Sequence, residues 1–349
     1  MSLGGKLIAV VRAGEIDTVE TMGLANGDTG AAITRDTVFY VGSIAKQFVA
    51  ACALLLVDDG ALASDAPVGA IVPDLPRWAS DVRVQHLVHH TSGVPDRDFS
   101  AFPGVPVTGV PARGNNDVLA EIRSIEELRF APGSRYAYSN RGYHLLGQTV
   151  AAASRKSLAA FAHERIFAPL GMHDTFLRDT QSPLPPSAAR GHFVAVDGRT
   201  YVEPAAFHAV GAGGLWTTID DLARWDAASY DSSTVASRLA QRGALDDGAP
   251  IHYGWGLSVR THRGLPIHSH GGSFPGWAAK MVRFPEQRAT VVIVANHERE
   301  DVSGEAFVLA DQLLADALDP TAAHADDTFD DVDRTSGGGR GSCFDRRGR

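Results

Sequence analysis

Three short stretches of this sequence place reactive side chains at spacings where they can act on one another. In Val41-Gly42-Ser43-Ile44-Ala45-Lys46-Gln47-Phe48, Ser43 stands three residues before Lys46. Residues three apart share a helix face, so the hydroxyl and the amine can touch. The lysine is a marked choice. Lys6, Lys46, Lys156 and Lys280 are the only lysines, and the rest of the 32 Lys and Arg residues are arginines. A buried lysine can lose its proton and serve as a base, whereas an arginine stays charged. Two readings are open here: Ser43 is a nucleophile with Lys46 as its base, or Ser43 caps the helix that follows.

The second stretch is Tyr138-Ser139-Asn140, between the turn Ala131-Pro132-Gly133-Ser134 and a helical run. A phenol held near a serine and a lysine can carry a proton to a leaving group, provided its ordinary pKa of about 10 falls, as nearby cations would make it do. The Asn140 amide can bond a substrate carbonyl or the lysine. On their own, these two residues also read as a half-buried aromatic and a helix cap. The third stretch is His270-Gly271-Gly272-Ser273, at the end of a strand. Glycines there leave backbone open to an extended substrate. One N–H from it, with that of Ser43, would make an oxyanion hole. A tight turn before Phe274-Pro275-Gly276 is the plainer reading of the same residues.

The elements that must carry these groups change in texture along the chain. Residues 6–11 and 16–22 alternate as a hairpin around Ala13-Gly14. Residues 43–59 form a helix apolar nearly all round and closed by Gly60, which makes it central. Helical spacing recurs at 117–129, through Val118, Ile122, Ile125 and Leu128, and again at 141–153 and 157–167. Ser157 caps the last of these and Pro169 stops it. Thr218-Ile219-Asp220-Asp221 opens another helix with capping-box spacing. From Tyr253 the pattern turns to strands, at 253–261, 266–270, 278–284 and 290–295, before a terminal helix at 303–318. This order predicts an α+β fold: an antiparallel sheet flanked by helices, with an inserted, mostly helical domain. The expected division is 1–60 with 208–320 for the sheet domain and 61–207 for the insert. Residues 321–349 have too few apolar groups to pack and read as a disordered tail.

Bulk properties narrow the class. The 349 residues are 44% hydrophobic and 21% charged, ordinary for a globular chain. A net charge of −9 gives no reason to expect nucleic acid as a partner. The longest apolar run, 48–57, is too short to span a bilayer. No basic-then-apolar signal peptide opens the chain, so it reads as cytoplasmic as it stands and exported if a leader was trimmed. Cys52 and Cys343 make no disulfide framework.

Taken in order, the three stretches resemble the serine β-lactamase-like superfamily, nearest the class C β-lactamases, D-Ala-D-Ala carboxypeptidases and related esterases. Ser43 and Lys46 match its Ser-x-x-Lys motif, Tyr138 and Asn140 its Tyr-x-Asn, and His270 and Gly272 its Lys/His-x-Gly. Residues 86–95, 167–172, 213–215 and 253–256 look like the same family, and the likeness runs from about residue 5 to residue 318. The resemblance implies an acyl-enzyme on Ser43, with Lys46 and Tyr138 sharing acid–base work and Asn140, His270, Gly272 and Ser273 contacting a small-molecule or peptide acyl substrate. No cofactor and no metal are implied. Lys46 at a helix N-terminus should have a lowered pKa.

Two departures stand out. A histidine near its usual pKa of about 6.5 is mostly neutral at pH 7, so His270 in place of lysine implies weak carboxylate recognition. That tilts the expectation toward esters, amides or neutral acyl donors over penicillins, unless Arg141 or Arg135 compensates. The family usually has a helix before the first strand, whereas here Gly4-Gly5 already opens the hairpin, so that helix is expected to be missing or trimmed. Competing chemistries fit less well. No His-Glu-x-x-His occurs among the 14 histidines, although His86, His89 and His90 sit close together and His268 neighbours His270. No serine has the Gly-x-Ser-x-Gly setting of a Ser-His-Asp hydrolase. Gly211-Ala212-Gly213-Gly214 reads as a turn, and Trp255 and Trp277 as core or pocket lining. A non-catalytic penicillin sensor or scaffold of the same fold is the alternative function.

Overall fold

The computed structural model describes residues 4–96, 113–194, 200–202, 208–297 and 300–324. Strand β1 (Gly5–Arg12) turns through Ala13 and Gly14 into β2 (Glu15–Asn26). Short strands β3 (Ala31–Ala32) and β4 (Phe39–Tyr40) lead to helix α1 (Ala45–Asp58). Helices α2 (Val84–Val88), α3 (Asn115–Arg123), α4 (Asn140–Ser154) and α5 (Leu158–Ala162) follow. Next come strands β5 (Phe176–Leu177), β6 (His192–Val194), β7 (Thr200–Val202) and β8 (Leu215–Thr217), then α6 (Ile219–Ala228). The last elements are β9 (Ser258–His262), β10 (Leu265–Phe274), β11 (Trp277–Phe284), β12 (Ala289–Ala295) and α7 (Val302–Leu313).

Seven strands make one antiparallel sheet in the order β3-β2-β1-β12-β11-β10-β9, an α+β arrangement. Alternate residues of a strand face opposite sides. Ile8, Val282, Val291 and Ile293 therefore pack under α7, through Val302, Ala306 and Ala310. Leu7, Met281, Val292 and Val294 face the other way, into the larger core around α1. Strand β12 is central and covered on both faces, which is why it is apolar almost throughout. Helix α1 is buried without interruption from Ala45 to Leu54, and Lys46 lies in that stretch. A second, three-stranded sheet of order β4-β8-β5 ties the chain ahead of α1 to segments on either side of residue 207.

Several elements differ from their sequence-based extents for local reasons. Helix α3 stops at Arg123 because the Ser124 hydroxyl donates back to the Glu121 carbonyl at 2.7 Å. Ile125 and Leu128 then pack from the following loop. Residues 163–167 continue α5 as a π-turn, and Ser157 caps it through the Ala160 N–H. Tyr253 to Leu257 precede β9 rather than belonging to it, since Gly256 holds a positive φ against the α1 backbone. Strand β10 continues through Gly271 and Gly272 to Phe274, so the third motif lies inside the strand and the turn comes at Pro275-Gly276. Helix α7 ends five residues before Leu318. The segment from Thr321 is not wholly a loose tail: the Arg263 N–H donates to the Ala323 carbonyl at 2.9 Å, tying Thr321 to His324 against the β9–β10 turn. The remainder of that expectation, with Cys343, lies outside the described residues.

One buried ion pair fixes α6 to the sheet. Arg283 Nε of β11 donates to Asp226 Oδ1 of α6 at 2.6 Å, and Thr290 Oγ1 of β12 donates to the same oxygen at 2.7 Å. Asp226 is fully buried and Arg283 nearly so. Removing one partner of such a pair leaves the other charge uncompensated, which costs about 3–5 kcal/mol. Asp226→Ala should therefore lower the unfolding free energy by that amount in urea denaturation. A loss under about 1 kcal/mol would show that the pair is not a structural anchor.

Candidate active site

Ser43 sits in a single 3-10 turn, Gly42–Ile44, immediately ahead of α1. It is not the cap of that helix: Ile44 holds the N-cap position and no side chain caps it. The turn is pressed against β10, backbone to backbone. Gly42 has φ +52, and a Cβ there would stand 2.9 Å from the Ser273 nitrogen. A Cβ on Gly272 would stand 2.1 Å from the Val41 carbonyl oxygen and 3.2 Å from the Ser43 nitrogen. Only glycine fits at either place. The contact brings the amides of Ser43 and Ser273 into one neighbourhood. Strand β9 pairs with β10 only as far as Ser269, so from His270 to Phe274 the strand is an edge of the sheet beside the serine.

Lys46 is fully buried and tightly held. Its Nζ lies 3.0 Å from Ser43 Oγ, 2.9 Å from Asn140 Oδ1 and 2.9 Å from the Ala212 carbonyl oxygen. Burial drives its pKa down from 10.5 to about 7, with the Asp96 carboxylate pulling the other way. Near neutral pH much of the population is therefore a free amine. A neutral amine has two N–H groups and one lone pair. The two fixed acceptors, Asn140 Oδ1 and Ala212 O, use both N–H groups, which leaves the lone pair facing the Ser43 hydroxyl.

Tyr138 shares a hydrogen bond with the Ser43 side chain, and its ring centroid lies 4.7 Å from Lys46 Nζ. Contrary to the expectation of a lowered pKa, burial raises the phenol above its ordinary value, and the Ser43 hydrogen bond only partly opposes this. The Tyr136 phenol and the Asp96 carboxylate push it the same way as burial does. Tyr138 therefore rests as a neutral phenol, a proton donor. Its backbone is set by the Ser139 N–H, which donates to His90 Nδ1 at 3.1 Å, and the His90 ring packs tilted against the Tyr138 ring, centroids 4.3 Å apart.

His270 departs most from expectation. It is fully buried, its Nε2 is 3.0 Å from the Tyr253 hydroxyl and its Nδ1 is 2.6 Å from the Gly271 carbonyl. Burial takes its pKa to about 3, with Lys46 the next cause. It is a neutral buttress behind Tyr138, not a side chain offered to a ligand, while Ser273 of the same strand is exposed. Arg141 does not replace a missing cation, because its guanidinium is engaged by Glu121 at 3.4 Å and by the Pro95 carbonyl. Trp277 packs on Tyr40 and Trp216, and Trp255 on His89, so both are core.

Two participants escaped the sequence. Asp96 Oδ2 accepts the Asn140 side-chain amide at 2.8 Å and its backbone N–H at 2.9 Å, and Oδ1 accepts the Arg141 N–H at 3.3 Å. No periodicity links residue 96 to residue 140. The Ala212 carbonyl belongs to the glycine-rich run that had read only as a turn. His86 closes its own short helix by accepting the Arg83 N–H. Among the described residues, His262, Asp311 and His324 bring possible metal-ligand atoms together, at the far end of β10 from Gly272. The Arg263 guanidinium sits on both Asp311 and His324 there, which opposes a cation.

A D-aminopeptidase of Gluconobacter oxydans (strain 621H) is 29% identical over 323 residues, covering 90% of this chain and 59% of that protein. A D-aminopeptidase of Brucella canis is 28% identical over 309 residues, covering 84% and 56%. The chain thus spans little more than half the length of these curated relatives. Among solved structures, an octameric penicillin-binding protein homologue from Pyrococcus abyssi matches with TM-score 0.78 at 25% identity, over 89% of this chain and 73% of that one. The D-amino acid amidase of Ochrobactrum anthropi SV3 complexed with L-phenylalanine amide matches with TM-score 0.73 at 25% identity, over 89% and 92%. The beta-lactamase family model matches from residue 2 to residue 314, a span that takes in every strand of the large sheet and α1 through α7, and the chain belongs to that family.

Proposed function

We propose that this protein is a serine hydrolase that cleaves amide or ester bonds of small or peptide acyl substrates through an acyl-enzyme on Ser43. The observation that carries this reading is the buried Lys46 amine, 3.0 Å from the Ser43 hydroxyl, held by Asn140 Oδ1 and the Ala212 carbonyl and with its pKa lowered to about 7 by burial. In this mechanism Lys46 takes the Ser43 proton as Oγ bonds to the substrate carbonyl carbon. The oxyanion that forms is met by the amides of Ser43 and Ser273. Tyr138 gives its proton to the leaving nitrogen or oxygen as the scissile bond breaks, and the Lys46 ammonium returns one to the phenolate. Water then attacks the acyl ester with the same groups in reverse.

The substrate class follows from what β10 lacks. A β-lactam or a D-alanyl peptide carries a carboxylate beside the scissile bond. His270 is buried and neutral and Arg141 is occupied, so neither offers a carboxylate a cation. D-aminoacyl amides and simple esters need no such partner. The names of the relatives, D-aminopeptidase and D-amino acid amidase, point the same way.

Because Lys46 must be deprotonated to act, kcat/KM should rise with pH through about 7 and fall away below it. Lys46→Arg, which keeps the charge and cannot release it, should lose about 100- to 10,000-fold in kcat. A profile flat from pH 6 to pH 9, or an active arginine variant, would remove Lys46 from the base role.

Labelling and substrate ranking test the rest. A fluorophosphonate probe should add its mass to Ser43 and not to Ser43→Ala. On one preparation, p-nitrophenyl acyl esters and D-alanine p-nitroanilide should outrun nitrocefin and a D-Ala-D-Ala peptide by about tenfold or more, the worth of one missing charge-assisted hydrogen bond. The reverse ranking would overturn the carboxylate argument. A stable adduct without turnover would favour a slowly acylated sensor.

A further inference from the structure

The cage around Lys46 aims the lone pair correctly only if the Asn140 amide presents its oxygen. Turned over, Asn140 would point an N–H at the amine, and a second acceptor would be lost. Nothing in Asn140 itself selects between the two orientations, since the two ends of an amide have nearly the same shape. Asp96 makes the selection. Its Oδ2 accepts from Asn140 Nδ2 at 2.8 Å while Asn140 Oδ1 lies 2.9 Å from Lys46 Nζ. A carboxylate only accepts, so it admits only the NH2 end. The same carboxylate is anchored across the first turn of α4 by the N–H groups of Asn140 and Arg141, which are among the four donors a helix start leaves unpaired. Asp96 therefore has a fixed position from which to hold the amide.

We propose that Asp96 is a positioning residue for the acyl transfer: it locks Asn140 with its oxygen on Lys46 and so leaves the lysine lone pair only Ser43 to face. This rests on the reading of Ser43 and Lys46 given above. Asp96 also acts on Lys46 through space, as the carboxylate that favours the ammonium form. The other groups that face the lysine do not supply that charge. Tyr138 and Tyr143 present ring faces at 4.7 and 5.5 Å. His90, His144 and His270 are all driven neutral by burial.

Two readouts test this. The first uses the small number of lysines. With four lysines in the chain, side-chain NMR of the lysine-labelled protein can follow Lys46 directly, assigned by its loss in Lys46→Arg. In Asp96→Asn the Lys46 titration should move to lower pH, by about half a unit or more, because an opposite charge has been removed. The second is a double-mutant cycle in kcat/KM for p-nitrophenyl acetate. Asp96→Ala should cost about 100-fold in the native background, the price of a misplaced reacting group. In the Asn140→Ala background it should cost less than threefold, because there is no amide left to orient. Circular dichroism and a thermal melt show that each variant is folded, and Asp96→Asn, of the same shape, covers the case in which the alanine variant is not.

The proposal is overturned if folded Asp96→Ala and Asp96→Asn stay within twofold of the parent. It is also overturned if Asp96→Ala costs the same factor with and without Asn140, or if the Lys46 titration does not move. Those outcomes leave the acyl-transfer reading standing. If instead Ser43→Ala keeps its turnover, or Lys46 titrates near 10.5 in the parent, the acyl-transfer reading falls and takes the proposal with it.

Discussion

The structure is organised around an amine that has been taken out of water with no carboxylate of the described residues touching it. Among the described residues Lys46 has no ion-pair partner within its own cage, only two carbonyl-type acceptors and a hydroxyl. Moving its pKa from 10.5 to about 7 amounts to a penalty on the order of 5 kcal/mol against the charged form in place. The fold carries that penalty by surrounding the side chain with a core it needs for other reasons. Helix α1 is the central helix of the molecule, buried on all sides from Ala45 to Leu54. A lysine one turn from the serine therefore cannot reach solvent. The lowered pKa is a consequence of where the helix lies, and the serine hydroxyl completes the contacts of the amine.

The same desolvation acts on the histidines and tyrosines around the lysine, toward the uncharged form. His90, His144 and His270 are pushed down and Tyr138, Tyr143 and Tyr253 are pushed up. The cluster is in effect a neutral hydrogen-bond network whose direction is set at its ends. At one end the Gly271 carbonyl fixes the tautomer of His270, whose other nitrogen then accepts the Tyr253 hydroxyl. At the other end Asp96 fixes Asn140. A charge that develops in such a site is poorly solvated by water. That is where fixed dipoles in a low-dielectric setting have their greatest effect.

Much of this could be read from the chain because it is local. The Ser43–Lys46 spacing, the hairpin around Ala13-Gly14 and the caps at Ser157 and Thr218 each depend on residues a few positions apart. The strands near the C-terminus were legible through their alternation, although the run to Phe274 was not, since Gly271 and Gly272 look like punctuation until Val41 and Ser43 are seen lying against them. What could not be read is long-range. Asp96 meets Asn140 across 44 residues, and the Ala212 carbonyl meets Lys46 across 166. The environment of His270 was also hidden. Its residue type suggested a group poised near neutral pH, and only burial against Tyr253 makes it a permanently neutral support.

The backbone contact between the serine turn and β10 links fold to chemistry more directly than any side chain does. Gly42 and Gly272 allow two backbones to meet at a separation that a single methyl group would block. The turn that carries the nucleophile is thereby registered to the sheet edge on which an extended substrate would lie. Strand β9 stops pairing at Ser269, and that is what leaves the edge available. If β9 continued to pair past residue 270, it would fill the edge with its own backbone and leave no place for a substrate strand. If either glycine carried a side chain, the serine turn would lift off the strand and the amides of Ser43 and Ser273 would move apart. The length of β9 and the two missing side chains therefore do as much to define the site as the residues that move protons.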